Sequence, residues 1–104
     1  MRGDIFRLSA PRDARGHEQQ GARYAVILQS DRLSTSTVLV APTTTKSFPA
    51  VFHPLVDMHG TPVVVLVEQT GAVDPQRLGS FAGRLDPHEM VAVDDALRLV
   101  LGMD

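Results

Sequence analysis

The chain has 104 residues and a mass of 11.3 kDa, with 43% hydrophobic and 21% charged residues, enough for one modest core and too few for two. It contains no cysteine, which excludes a disulfide framework, a thiol nucleophile and a cysteine-ligated zinc. The formal net charge of −2 is unevenly divided: residues 1–50 carry seven Lys and Arg against four Asp and Glu, a balance of +3, and residues 51–104 carry three against eight, a balance of −5. The basic half admits a polyanionic ligand and the acidic half argues against wholesale phosphate coating, although two solvated faces of opposite sign would give the same pattern.

The N-terminal stretch MRGDIFRLSAPRD lacks the apolar region of a signal peptide, and no apolar run approaches the roughly 18 residues of a membrane span. A single cytoplasmic domain over residues 1–104, with no membrane segment, is the expectation. Asp4 to Leu8 alternates and predicts a first strand. From Ser9 to Gly21 almost nothing is apolar, and Pro11, Gly16 and Gly21 punctuate a long loop, of a length that in so small a domain is usually functional or mobile. ARYAVILQS predicts the second strand and TVLVAPTT the third, with Pro42 favouring an edge or a strand end. SFPAVFHPL reads as a broken edge strand and turn, DMHGTP as the turn that follows, and PVVVLVEQT as a strand apolar on both faces in its middle. GAVDPQRLG predicts a turn with a short helical piece, and SFAGRL a last strand.

DPHEMVAVDDALRLVLG carries a helix signature from end to end. Asp86 is placed as N-cap, Pro87 at the first helical position and Glu89 at the third, as in a capping box. Met90, Val93, Leu97 and Val100 follow at core-facing spacings, and Gly102 stands where a left-handed residue ends a helix. The pattern predicts a mainly β fold, a small antiparallel barrel or curled sheet closed by one C-terminal helix.

No nucleophile elbow, Walker loop or dinucleotide fingerprint is present, and His17, His53, His59 and His88 show no paired metal-ligand spacing. What remains is polar residues at predicted strand ends: Glu18, Gln19 and Arg23 near the second strand, Thr43, Thr44 and Thr45 after the third, Glu68 and Gln69 after VVVLV. Strand ends of a small barrel converge on one rim, so these groups can share a groove. The threonines are also good strand and turn formers, and Glu68-Gln69 suits a solvated strand end. Arg23 is harder to explain away, because a guanidinium where the chain enters its core needs an anionic partner, either Glu18 or a ligand.

Four segments, RGDI at 2–5, GHEQQGAR at 16–23, VLVAPTTTK at 38–46 and LVEQTGAVDPQRL at 66–78, together resemble the MazF/PemK (Kid) family of toxin endoribonucleases, in order over nearly the whole chain. The resemblance implies an SH3-like barrel that forms a homodimer, cuts single-stranded RNA at short sequences without a metal or other cofactor, leaves a 2′,3′-cyclic phosphate and a 5′-hydroxyl, and is inhibited by a cognate antitoxin. It puts the catalytic arginine on Arg23 and the catalytic threonine on Thr44. It matches Glu18 and Gln19 to the family's G-S-E-Q loop, and Glu68 and Gln69 to the E-Q pair that borders the RNA groove. Thr45 joins the RNA-binding set beside Thr44. The chain departs from the family at three points, with His17 in place of the loop serine, Tyr24 in place of the proline after the arginine, and Gly71 in place of an arginine. His17 and Tyr24 thereby become candidates for acid-base and base-stacking roles, and the proton acceptor is left between Glu18 and His17.

Two other classes compete. The same barrel occurs in gyrase poisons of the CcdB type, which bind protein and cut no RNA, but whose working residues lie in the C-terminal helix. A non-catalytic SH3-like module would want clustered aromatics, and the chain has only Phe6, Tyr24, Phe48, Phe52 and Phe81.

Overall fold

A computed structural model describes residues 1–9 and 23–103. Among these residues seven strands and one α-helix follow in chain order: β1 (Asp4–Leu8), β2 (Tyr24–Ile27), β3 (Val38–Thr44), β4 (Leu55–Met58), β5 (Thr61–Val65), β6 (Gly71–Val73), β7 (Leu78–Arg84) and α1 (Pro87–Leu101). The strand order is β4-β5-β3-β2-β1-β7, with β6 beside the first half of β3 and every pairing antiparallel.

Alternation along the strands sends side chains to opposite faces. On the face under α1, Ile5, Val26, Ala41, Val63 and Val65 pack with Val93 and Ala96 of the helix, and Tyr24, Met90 and Leu97 flank them. Ala25, Ile27 and Val40 form a second cluster on the other face, with Phe6, Leu8, Val38, Val73 and Leu78 packed against it. The fully buried Ile5, Val26, Val65, Val67 and Val93 each contribute about 1.5–3 kcal/mol by leaving water.

The helix forms as its sequence dictates. Asp86 accepts the amide of Glu89 at 2.8 Å, Glu89 accepts that of Asp86 at 2.9 Å, and Gly102 ends the helix at φ 70°. Ala96 takes the buried place expected of Val100, which is 38% exposed in the last turn.

Four strand expectations are corrected. Asp57 and Met58 belong to β4 and Thr61 opens β5, so the connection is His59-Gly60 alone. Both residues have positive φ, 49° and 87°, as a two-residue hairpin turn matched to strand twist requires. Pro42 lies inside β3, where the neighbour changes from β6, which covers Val38–Val40, to β5, which covers Thr43 and Thr44. Its carbonyl accepts the Leu66 amide at 2.8 Å, and the reciprocal bond that proline cannot donate is replaced at the Leu66 carbonyl by the Gln69 amide at 3.0 Å. The VVVLV strand stops at Val65, and Val67–Gln69 form a 3₁₀ turn, so Glu68 and Gln69 stand on that turn. β6 forms where only a turn was expected, with the short helical piece following as Pro75–Arg77.

The RGDI segment knots the N-terminus to the rest. Arg2 donates to the Leu28 carbonyl at 2.8 Å and to Asp94 on α1 at 2.6 Å, and the Gly3 amide donates to the Ile27 carbonyl at 2.8 Å while its carbonyl accepts Leu85 N–H at 2.9 Å. Asp4 is buried and paired with Arg84.

Candidate active site

A cleft of about 490 Å³ opens where β2 begins and β3 ends, lined by Arg23, Tyr24, Thr44, Thr45, Lys46 and Gln69 among others. Pro42, Met58, Val63 and Leu66 supply apolar lining. Among the described residues the lining has two cations, Arg23 and Lys46, and no carboxylate, an arrangement that favours an anion. Pairing fixes the two sides relative to each other: Ala25, two residues past Arg23, faces Pro42, two residues before Thr44.

Arg23 is exposed, not sunk at the core entrance as its sequence position suggested. Its carbonyl accepts the Leu8 amide at 2.8 Å, which ties its backbone to β1 while the side chain borders the cleft. The desolvation that would have demanded a buried partner is therefore not at issue; proximity to the cleft is what marks this residue.

The three threonines differ in what their hydroxyls do. Thr43 spends its proton on the Tyr24 carbonyl at 3.2 Å, bracing β3 against β2. Thr44 accepts the Lys46 amide at 3.1 Å through Oγ1, which uses a lone pair and leaves its proton to donate. Thr45 is exposed on the rim.

Gln69 lines the cleft, but its neighbour Glu68 does not. Glu68 Oε2 meets His53 Nε2 at 2.7 Å, and that hydrogen bond holds the carboxyl below its ordinary pKa against the opposing effect of burial. The other described histidines stand apart, His59 in the β4–β5 turn and His88 on the exposed first turn of α1. His17, Glu18 and Gln19, expected at this site, lie outside the described residues.

The structure thus brings Arg23, Tyr24, Thr44, Thr45 and Gln69 to one cleft and sets Glu68 beside it. Sequence reading missed Lys46, Met58, Thr61 and Leu66 as lining residues. Lys46 was within reach, being two residues beyond Thr44; Met58 and Thr61 arrive through the β4–β5 hairpin, whose DMHGTP stretch reads as a turn, and Leu66 follows directly on β5.

Comparison with known proteins agrees with this architecture. The family model of PemK-like, MazF-like toxins of type II toxin-antitoxin systems matches residues 1–101. A candidate toxin of Mycobacterium tuberculosis, Rv3098A, is 36% identical over 104 residues, covering 99% of this chain and 98% of its own. An endoribonuclease from a mycobacterial species, solved in complex with its cognate antitoxin, has the same fold with a TM-score of 0.81 at 19% identity, covering 100% of this chain and 96% of that one. MazF of Deinococcus radiodurans, in a MazE-MazF crystal, gives 0.79 at 25% identity, with 98% and 95% covered. The mainly β half-barrel with one C-terminal helix is accordingly the MazF-like fold expected from sequence, and the chain belongs to the PemK-like, MazF-like toxin family of type II toxin-antitoxin systems.

Proposed function

We propose that this chain is an endoribonuclease toxin that cuts single-stranded RNA by transesterification, without a metal, as a homodimer held in check by a cognate antitoxin. The observation that carries the reading is the meeting of Arg23, just before β2, and Thr44, at the end of β3, in one cleft whose described lining includes the cations Arg23 and Lys46. Family membership supports it, as do the names of the structural relatives, which describe endoribonucleases and antitoxin complexes.

In this reaction the RNA 2′-oxygen attacks the adjacent phosphorus, its proton passing to a base. The bond to the 5′-oxygen breaks, that oxygen takes a proton, and 2′,3′-cyclic phosphate and 5′-hydroxyl ends result. Negative charge grows on the non-bridging oxygens and the departing oxygen. A guanidinium offers several charge-assisted donors to such oxygens, and the available Thr44 proton adds one more. Glu18 or His17 is assigned the base role, with Gln19, Tyr24, Thr45 and Gln69 contacting the RNA and Glu68 bordering its path.

The test incubates the wild-type chain and Arg23→Ala with mixed RNA in EDTA and maps the new ends. Wild type is expected to cut and leave cyclic phosphates, and the variant to cut about 10²- to 10³-fold more slowly, the usual cost of losing a preorganised donor. Because the nucleophile belongs to the RNA, a substrate with a single 2′-deoxy nucleotide at the cut site should bind and stay whole. Near wild-type cleavage by a folded Arg23→Ala protein would sink the mechanism. An acidic, disordered antitoxin segment suits the cationic cleft, and unchanged antitoxin binding by Arg23→Glu at low salt would put Arg23 outside its footprint.

A further inference from the structure

Phe48 is 90% exposed, the most open of the large apolar side chains described. A phenyl ring left in water forgoes what burial would return. Its position gives that exposure a use. Phe48 follows Lys46, a cleft-lining residue, by two positions, which places its Cα within about 7 Å of the Lys46 Cα along the chain.

The far end of the same segment is also fastened to the cleft wall. Ala50 and His53 exchange two backbone hydrogen bonds of 3.0 Å, closing a tight turn. His53 holds Glu68 at 2.7 Å, and the next residue, Gln69, lines the cleft. Pro54 accepts the Val65 amide at 3.0 Å. The segment is therefore a braced wall beside the cleft, and Phe48 stands on it without a ring partner, whereas Phe52 lies against the His53 ring with centroids 4.4 Å apart. From Thr43 to Val56 the chain carries no carboxylate.

An open π-face next to a cationic cleft is the arrangement that tracks a single-stranded nucleic acid, its phosphates met by charge and its bases by the ring. Aromatic rings are enriched at protein interfaces too, but lysine is depleted at their centres, so Lys46 two residues from Phe48 favours the nucleic-acid reading. Resting on the RNA reading of the cleft, we infer that Phe48 is a stacking platform for an unpaired base flanking the scissile phosphate. A phenyl face takes any base, so the platform sets affinity and strand direction rather than the cleavage sequence.

The experiment uses a labelled oligoribonucleotide that spans a cut site mapped with wild type and carries a 2′-deoxy nucleotide there, so that binding is read by anisotropy apart from cleavage. Phe48→Ala is expected to weaken binding about 5- to 150-fold, the range that loss of one base-on-aromatic stack covers, with Phe48→Tyr restoring it and Phe52→Ala changing it little. The chain has no tryptophan, so Phe48→Trp supplies a lone indole whose emission should be quenched by the oligonucleotide at the same midpoint. Binding by Phe48→Ala equal to wild type, or an indole indifferent to RNA, overturns the platform while leaving the nuclease reading intact. A changed sedimentation coefficient with unchanged RNA affinity also overturns it, assigning the ring to a protein contact. If wild type neither binds nor cuts RNA, the nuclease reading itself falls and the platform with it.

Discussion

Asp4 Oδ1 and Arg84 Nε lie 2.7 Å apart, an ion pair between a buried carboxylate on β1 and a largely exposed guanidinium at the end of β7. Burial pushes the Asp4 carboxyl up, but Arg84 and the N-terminal ammonium together bring it below its ordinary value. A carboxyl depressed by folding contributes stability above its unfolded pKa, here 3.8, and loses it as pH falls through the folded value. Arg84→Ala removes the principal counter-charge and leaves the carboxylate buried, a costly arrangement. The acid-unfolding midpoint, followed by circular dichroism, should move to higher pH in Arg84→Ala than in wild type, and an unmoved midpoint would show that the pair adds nothing.

The helix was legible because its signals are local: Asp86, Pro87, Glu89 and Gly102 each act within one turn. The hairpin of β4 and β5 was not, because Asp57, Met58 and Thr61 look like turn residues until the left-handed pair His59-Gly60 is seen to do the turning alone. The apolar run VVVLV continues into Val67, so periodicity cannot locate the point where Leu66 bonds to Pro42 and the strand becomes a 3₁₀ turn. At the cleft, resemblance picked out Arg23 and Thr44. Which threonine keeps its proton depends on hydrogen bonds to Tyr24 and Lys46, and those come from folding.

Glu89 does two jobs with its two oxygens. Oε1 closes the capping box on Asp86 N–H at 2.9 Å, and Oε2 accepts the Asp57 amide at 2.6 Å, joining α1 to β4. Glu89→Gln retains one acceptor oxygen, so one of these bonds must go. Loss of about 1.5–3 kcal/mol, one hydrogen bond to a charged carboxylate, is expected by urea denaturation, whereas Glu89→Ala should cost more because both amides lose their partner. Equal values for the two variants would mean that one of the contacts carries no weight.

Gly3 has φ 90°, and a Cβ added there would stand 2.9 Å from Met90 Sδ. Alanine at this position meets both a backbone conformation that L-residues avoid and a crowded thioether. Gly3→Ala should therefore destabilise by about 1–3 kcal/mol. Met90→Ala in the Gly3→Ala background would relieve the steric part, so the double variant should lose less than the sum of the two single losses. Strict additivity in the thermal unfolding series would assign the whole penalty to φ.

Thr44 provides the sharpest test at the site, because its neighbours serve as controls. If its hydroxyl donates to the transferring phosphoryl group, Thr44→Val, which keeps the β-branched shape, should lower kcat/KM by about 10- to 100-fold, the worth of one hydrogen bond to a charged oxygen. Thr44→Ser restores the donor and should recover most of the rate. Thr43→Val removes a hydroxyl whose proton already goes to the Tyr24 carbonyl, so its loss should appear in thermal stability, with kcat/KM close to wild type once folding is corrected for. Thr45→Val alters the rim and should act mainly on KM. A Thr44→Val enzyme as fast as wild type, with Thr43→Val the slow one, would reverse the assignment and place the working hydroxyl on the strand-bracing residue.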